Sequence, residues 1–504
     1  MISRRHVLQG LGSGALLTAG GAYAGRAGAW AEPPNRAARQ QLLAAGARTE
    51  KVLDLFLYGG LSPFESFYTV PSYGAPDDPR FPSEQSWLFR ETAAAAAARC
   101  GNDLPFSEPF ARDGAGVEVH LGPLVGPLRR RPDVLARTRV LVMHHTLEPH
   151  EAAIPYALTG FRLGNSRLAG LGASVQRFFL DRDATGRQAP FSYVLYPSDI
   201  ASTDNVSAAS AIGLHTGAAR PLDLRIGGDA ALGARLERRW LGDKAAAWDA
   251  LVQHGAQSLR GRFQLGNDRL RSRALDDHAY ATQSLANATA LLDVLGGADT
   301  AAIPGKACGQ EATNLTEMSL ELATHLLTHP RAAARHVTVI DGGLIPASGG
   351  GGYDVHTDHI ASTALNLHST LDALLWRVNE PDERNPSKID LDTTMIVLNT
   401  EFGRTPFLQP GSGNGTNHHP YGYVTVLIGG AVGPDQRGIL GAIGPDAWAS
   451  RHVTPVEARA AVLASMGIWP FTQESFAIGD IRDQFDETDG LVWLNEIVLG
   501  RRRA

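Results

Sequence analysis

Three short segments of this 504-residue chain concentrate side chains able to hold a metal ion or move a proton. The first runs Gly351-Gly352-Tyr353-Asp354-Val355-His356-Thr357-Asp358-His359. Carboxylate oxygen and neutral imidazole nitrogen at this spacing can converge on one divalent cation such as zinc, manganese or iron. The glycines ahead of them let the backbone approach a ligand closely. The plainer alternative is that Asp358 caps a following helix while the histidines make surface hydrogen bonds. In the second segment, Leu398-Asn399-Thr400-Glu401-Phe402-Gly403-Arg404-Thr405-Pro406, Glu401 could bind metal or act as a general base, and Arg404 could clamp an oxyanion through two donors. Its plainer alternative is an ion pair between Glu401 and Arg404 that pins a loop. The third, Asn414-Gly415-Thr416-Asn417-His418-His419-Pro420-Tyr421-Gly422, carries adjacent imidazoles. One of that pair facing a pocket suffices; the other would satisfy a backbone carbonyl, the sequence leaves open which does which, and the plainer alternative is that neither is a ligand.

Side chains this far apart need a scaffold that gathers them. Lys51 to Tyr58 reads as a buried strand ending at Gly59-Gly60, followed by strands at Thr138 to Met143 and Phe191 to Tyr196 with helical stretches about Glu151 to Leu158 and Leu168 to Leu180 between them. Strands resume at His336 to Ile340, Thr394 to Leu398 and Tyr423 to Ile428, with a helix at Ala361 to Val378. The rhythm predicts an α/β fold with a doubly wound, mostly parallel sheet flanked by helices, because parallel strands need long crossovers. Residues 229 to 330, rich in Ala, Leu, Arg and Asp, read as a helical insertion. In such sheets, ligands sit beyond the carboxyl ends of the strands, where the three polar segments would fall.

The first residues, Met1-Ile2-Ser3-Arg4-Arg5-His6, precede a weakly apolar stretch interrupted by Gln9, Gly10, Ser13 and Thr18. That pattern is a twin-arginine export address rather than a membrane anchor. Cleavage is expected after Ala29-Trp30-Ala31, leaving residues 32–504 as one large domain working in the periplasm or outside the cell. The cut removes Arg4, Arg5 and Arg26 but no acid from a chain of 46 basic and 52 acidic residues, so the mature protein is acidic and no nucleic-acid partner is expected. Cys100 and Cys308 form no metal-binding pair, and any disulfide between them would be structural.

Taken in order, the three segments resemble the family called domain of unknown function 1501, whose members commonly carry twin-arginine signals and belong to the alkaline-phosphatase and sulfatase superfamily. Gly351 to His356 is similar to the family's Gly-Gly-Trp-Asp-Thr-His, Thr400 to Pro406 to its Ser-Glu-Phe-Gly-Arg-Thr-Pro, and Gly415 to His418 to its Gly-Thr-Asp-His. Leu57 to Ser62 and the run from His150 to Gly160 also resemble family motifs, so the likeness covers nearly all the mature chain.

The resemblance implies one or two divalent metals polarising a phosphate or sulfate ester. Asp354, His356, His359 and His418 are the implied ligands, expected to converge in one pocket with Glu401 and Arg404 on its rim. The chain also departs from the superfamily. Its first-strand loop offers Ser62 and Glu65 but no Asp, and His150 stands where a hydroxyl nucleophile is usual; with Glu401 and Arg404, Ser62 and His150 complete the candidate catalytic set. These departures argue against a full two-metal site. Two readings follow: an exported metal-dependent hydrolase acting on a small-molecule phosphate, sulfate or related ester, or a catalytically silent binding protein using the same crevice.

Overall fold

A computed structural model of the chain describes residues 30–74, 87–100, 108–162, 170–183, 189–197, 221–226, 242–263, 288–295, 304–307, 310–313, 315–343, 352–411, 413–472 and 475–501. Eight strands form the main sheet: β1 (Lys51–Leu57), β2 (Thr138–Met143), β3 (Ser192–Pro197), β4 (Leu222–Ile226), β5 (His336–Asp341), β6 (Thr394–Asn399), β7 (Tyr423–Gly429) and β8 (Gly438–Leu440). Their spatial order is β8-β2-β7-β6-β1-β5-β3-β4. Every neighbouring pair is parallel except those made by β7, which runs against both β6 and β2. The sheet is therefore mostly parallel, and the six strands read from the sequence lie within a residue of their expected limits. The one departure, β7, is joined to β6 without a crossover helix, so nothing forces it to run parallel.

The central strands are near-continuous apolar runs because helices cover both faces of the sheet. Along β1, Leu53, Leu55 and Leu57 pack into one buried cluster, with Val140, Ile396, Leu398 and Val426 from its neighbours. That layer is covered by helices α3 (Leu315–Thr328) and α4 (His359–Trp376). The alternate residue Val52 faces the other cluster with Leu141, Met395 and Leu427, beneath α2 (Leu171–Leu180) and α5 (Pro455–Ser465). Helix α1 (His150–Thr159) packs Ile154, Ala157 and Leu158 against Phe56. A capping box opens α5: Thr454 Oγ1 accepts from Glu457 N–H at 3.2 Å, and Glu457 Oε2 accepts from Thr454 N–H at 2.8 Å.

Within the stretch expected to be a helical insertion, the described parts include helices Ala245–Phe263 and Ala288–Leu295 and the hairpin Pro304–Ala307 with Gln310–Thr313. The last helix of that stretch, α3, is not an appendage, since Leu320, Leu322 and Leu326 belong to the main core. Arg4, Arg5 and Cys308 lie outside the described residues; Cys100 ends the helix Phe89–Cys100. Among the described residues no helix is long and apolar enough to cross a membrane.

One charge pair crosses this core. Asp54, in the middle of β1, meets Arg459 of α5 at 2.6 Å with both side chains buried, and Arg459 also donates to the Ala157 carbonyl at 2.8 Å. Burial pushes the Asp54 carboxyl up, and only the guanidinium opposes that. Arg459→Met should lower stability in urea unfolding by about 3–5 kcal/mol, whereas Asp54→Asn combined with Arg459→Met should recover part of the loss because no lone buried charge remains. Acid should also weaken the fold. Burial pushes His336 down to about 3 from 6.5, so the stability linked to its neutral form is present above pH 6.5 and lost as pH falls toward 3.

Candidate metal centre

Besides the segment after β5 that carries Asp354 and His356, four loops meet at the carboxyl edge of the sheet. The chain leaving β1 turns at Gly59, the chain leaving β6 passes directly through Thr400 and Glu401, and the chain leaving β2 runs to His150 at the start of α1. The fourth loop enters rather than leaves. Because β7 is antiparallel, its first residue Tyr423 pairs with Met143, the last residue of β2, which brings Asn414 to Gly422 to the same edge.

Backbone contacts lock these loops in register. Gly403 and Arg404 pair as a short antiparallel ladder with His419 and His418. Thr416 N–H donates to Val355 O at 3.0 Å and His359 N–H to Asn414 O at 2.8 Å, so the histidine loop lies along the segment that carries Asp354 and His356. Two glycines make this approach feasible. Gly59 has φ +115°, and a Cβ there would stand 2.1 Å from Asp354 N; a Cβ on Gly415 would stand 1.7 Å from His356 O.

The result is a cluster of His150, Asp354, His356 and His418 whose candidate ligand atoms all lie within 4.8 Å of one another. Asp354 Oδ1 is 3.1 Å from His356 Nε2, 3.4 Å from His150 Nε2 and 3.8 Å from His418 Nε2. Each ring is held from behind through Nδ1. His150 Nδ1 is 2.8 Å from Glu401 Oε1, His418 Nδ1 is 2.8 Å from the Glu148 carbonyl, and His356 Nδ1 is 3.2 Å from Gln409 Oε1. All three partners are oxygen acceptors, so each Nδ1 carries a hydrogen, and each ring in its neutral form turns an Nε2 lone pair inward. That is how metal-ligating histidines are oriented.

Two further features fit a cation. His356 Nε2 and His418 Nε2 stand 2.9 Å apart, lone pair toward lone pair unless a proton or metal ion lies between them. His150 Nε2 is buried with no sound hydrogen-bond partner. Three imidazole nitrogens and one carboxylate oxygen form a donor set suited to zinc and related transition metals rather than to magnesium or calcium. The cluster also meets solvent, with the His356 side chain 32% exposed and the Asp354 side chain 5% exposed.

Electrostatics fix the charge state. Burial alone would raise the Asp354 carboxyl, but the three histidines and the Arg404 charge hold it far below the usual range. Burial works against a charge on His150, yet Asp354 and Glu401 outweigh it and raise the ring to about 9. Without a cation, His150 is therefore protonated between two carboxylates, and a metal ion entering the cluster displaces that proton. Burial lowers His418, which keeps its ring neutral.

The expected site residues divide in an instructive way. Asp354, His356 and His418 meet as anticipated, and His150, read as a catalytic candidate, joins them in the ligand position expected of His359. His359 itself sits elsewhere, fully buried, with Nε2 2.6 Å from Glu65 Oε2 and Nδ1 3.1 Å from Thr416 Oγ1. The second imidazole of the pair, His419, bonds the Ala447 carbonyl at 2.8 Å.

Glu401 and Arg404 are not on a rim; both are fully buried beneath the cluster. Glu401 Oε1 accepts from Gly59 N–H as well as from His150. Arg404 bonds Gly59 O, Thr416 O at 3.2 Å and Asp354 Oδ1 at 2.5 Å, which leaves no fork to clamp an oxyanion. Arg404 does pin loops, but its ion partner is Asp354 rather than the Glu401 of the plainer reading. Ser62 is fully buried as well, beside Glu65 rather than in the cluster. Sequence reasoning missed the three outer partners Glu148, Gln409 and the Gly59 backbone, and no spacing rule would have found them.

Titration of metal-free protein with zinc should show one ion per chain. Asp354→Asn or His418→Ala should abolish tight binding, while Glu401→Gln should weaken it by about 10- to 100-fold through His150 alone. His359→Gln should reduce stability but leave zinc affinity within a few-fold, and a loss as large as that of His418→Ala would move His359 into the ligand set.

Comparison with curated proteins finds no match. A family profile described as protein of unknown function (DUF1501) matches residues 49–471, a span that contains β1 through the end of α5 and all four clustered residues. The motifs first noticed in the sequence, the loops that carry them and the profile coincide, and the chain belongs to the DUF1501 family.

Proposed function

We propose that the protein is an exported metal-dependent hydrolase acting on a phosphate, sulfate or related ester, with an alkaline-phosphatase-like arrangement of sheet and site. The observation that carries this reading is the set of three inward Nε2 atoms, each backed at Nδ1 by an oxygen, around one carboxylate oxygen at a solvent-reached sheet edge. A zinc, manganese or iron ion bound there would supply Lewis acidity. His150, His356, His418 and Asp354 would hold the ion, Glu401 would keep the His150 ring in its ligating tautomer, and Arg404 fixes Asp354. Water is the nucleophile in this reading, because Ser62 is buried and His150 is engaged.

The same observation on Ser62 favours a second reading, a protein that binds a metal or ligand without turnover. The two separate cleanly in one assay. Protein loaded with zinc, manganese or iron(II) should release product from aryl phosphate or aryl sulfate, and Asp354→Asn should abolish that release. Full metal occupancy with no turnover by the wild-type protein would establish the silent binder instead.

Export through the twin-arginine route remains part of the proposal, resting on Arg4-Arg5 ahead of a weakly apolar stretch. Replacing both with Lys should retain the precursor in the cytoplasm in a fractionation assay; unchanged export would point to an ordinary secretory signal.

A further inference from the structure

Just beyond His418 in the chain, Tyr421 stacks on Trp448 with centroids 4.2 Å apart and planes within 8° of parallel. Tyr421 covers one face of the indole, yet Trp448 is 49% exposed, so its other face and edges meet solvent. A single exposed aromatic is unremarkable by itself. This one is held in place by a costly turn. Ala447, immediately before it, has φ +67°, the left-handed region that an alanine enters only at a cost. Four hydrogen bonds fasten the turn: Ala447 N–H to Gly444 O, Gly444 N–H to Trp448 O, Trp448 N–H to Asp446 Oδ1, and the His419 ring to Ala447 O.

The platform is tied directly to the candidate metal ligands. His419 adjoins His418 in the chain, Tyr421 OH donates to Glu148 Oε1 at 2.7 Å, and the carbonyl of the same Glu148 accepts from His418 Nδ1 at 2.8 Å. His144 lies 6.2 Å from Tyr421, and its ring is tilted 31° against that of His452 at 4.7 Å. A flat aromatic pair with a carboxylate and an imidazole beside its Tyr421 half matches a ring that has an apolar C–H face and hydroxyls at its edge.

We infer that Trp448, backed by Tyr421, is a subsite for the sugar ring of a carbohydrate ester whose anionic group reaches the metal cluster. This inference rests on the hydrolase reading for the anionic group but on the platform alone for the sugar. Polar groups at the edge favour a sugar over an aryl ring, which would leave the hydrogen-bonding capacity of Glu148 and His144 unused.

The test is calorimetric titration of the zinc-loaded protein with the 6-phosphates of glucose, galactose and N-acetylglucosamine, with phenyl phosphate, and with inorganic phosphate, alongside an assay of phosphate release. At least one sugar phosphate should bind about tenfold more tightly than inorganic phosphate. Trp448→Ala should erase that advantage while leaving zinc and inorganic phosphate affinities unchanged, and Trp448→Phe should keep most of it. Sugar binding that depends on Trp448 without any phosphate release supports the subsite and rejects the hydrolase. No sugar phosphate binding above inorganic phosphate, no effect of Trp448→Ala, or a Trp448-dependent gain as large for phenyl phosphate would each overturn the sugar assignment.

Discussion

The buried guanidinium of Arg404 is the contact on which the carboxyl edge of the sheet depends. It bonds the carbonyl of Gly59 after β1, the carbonyl of Thr416 before β7 and the carboxylate of Asp354, and it is itself fixed by the short ladder opposite His418. A buried charge is tolerated only when it is paired and fully hydrogen-bonded, so these groups must stay together. Burial pushes the guanidinium down while Asp354 and Glu401 oppose that shift, which makes the three groups one electrostatic unit.

The same unit settles what each residue is free to do. Arg404 gives Nε and Nη2 to Gly59 O and Asp354 and Nη1 to Thr416 O, with His356 Nε2 3.5 Å from the same Nη1, so its fork is taken up within the protein. Glu401 accepts from Gly59 N–H and from His150, so it orients a ring rather than taking a proton from a substrate. Chemistry is thereby confined to the inward faces of three imidazoles and one carboxylate oxygen. Around that small polar centre the scaffold is conventional, with apolar strands and a helical layer on each face. A second buried pair, Glu65 with His359, stiffens the loop wall; burial would raise the Glu65 carboxyl, but His359 holds it below its ordinary range.

Strand direction matters as much as strand order. Had β7 followed the parallel rule, its leading loop would lie at the opposite edge of the sheet and His418 would be a strand length away from Asp354. Reversal of this one strand brings the start of β7 beside the end of β2, and so joins His418 to His150 as well as to His356. The reversal also brings Tyr421, and with it the Trp448 stack, to the same edge of the sheet.

Much of this was legible in the residues alone. Apolar runs such as Lys51 to Leu57 and Thr394 to Asn399 declare buried strands because period and burial are local properties of the chain. The density of His, Asp and Glu in three segments marked the site, and Asp354, His356 and His418 are found in it. What sequence did not determine is which of several equivalent groups faces inward. His359 looks as good a ligand as His356 by spacing, but it opens α4 and turns into the core, where Glu65 meets it; His150 lies far from the others in the chain and arrives only because α1 begins at the same sheet edge. Those assignments depend on side-chain direction and on contacts between residues hundreds of positions apart, such as Gly59 against Asp354 and Glu401 against His150, and only the tertiary structure decides them.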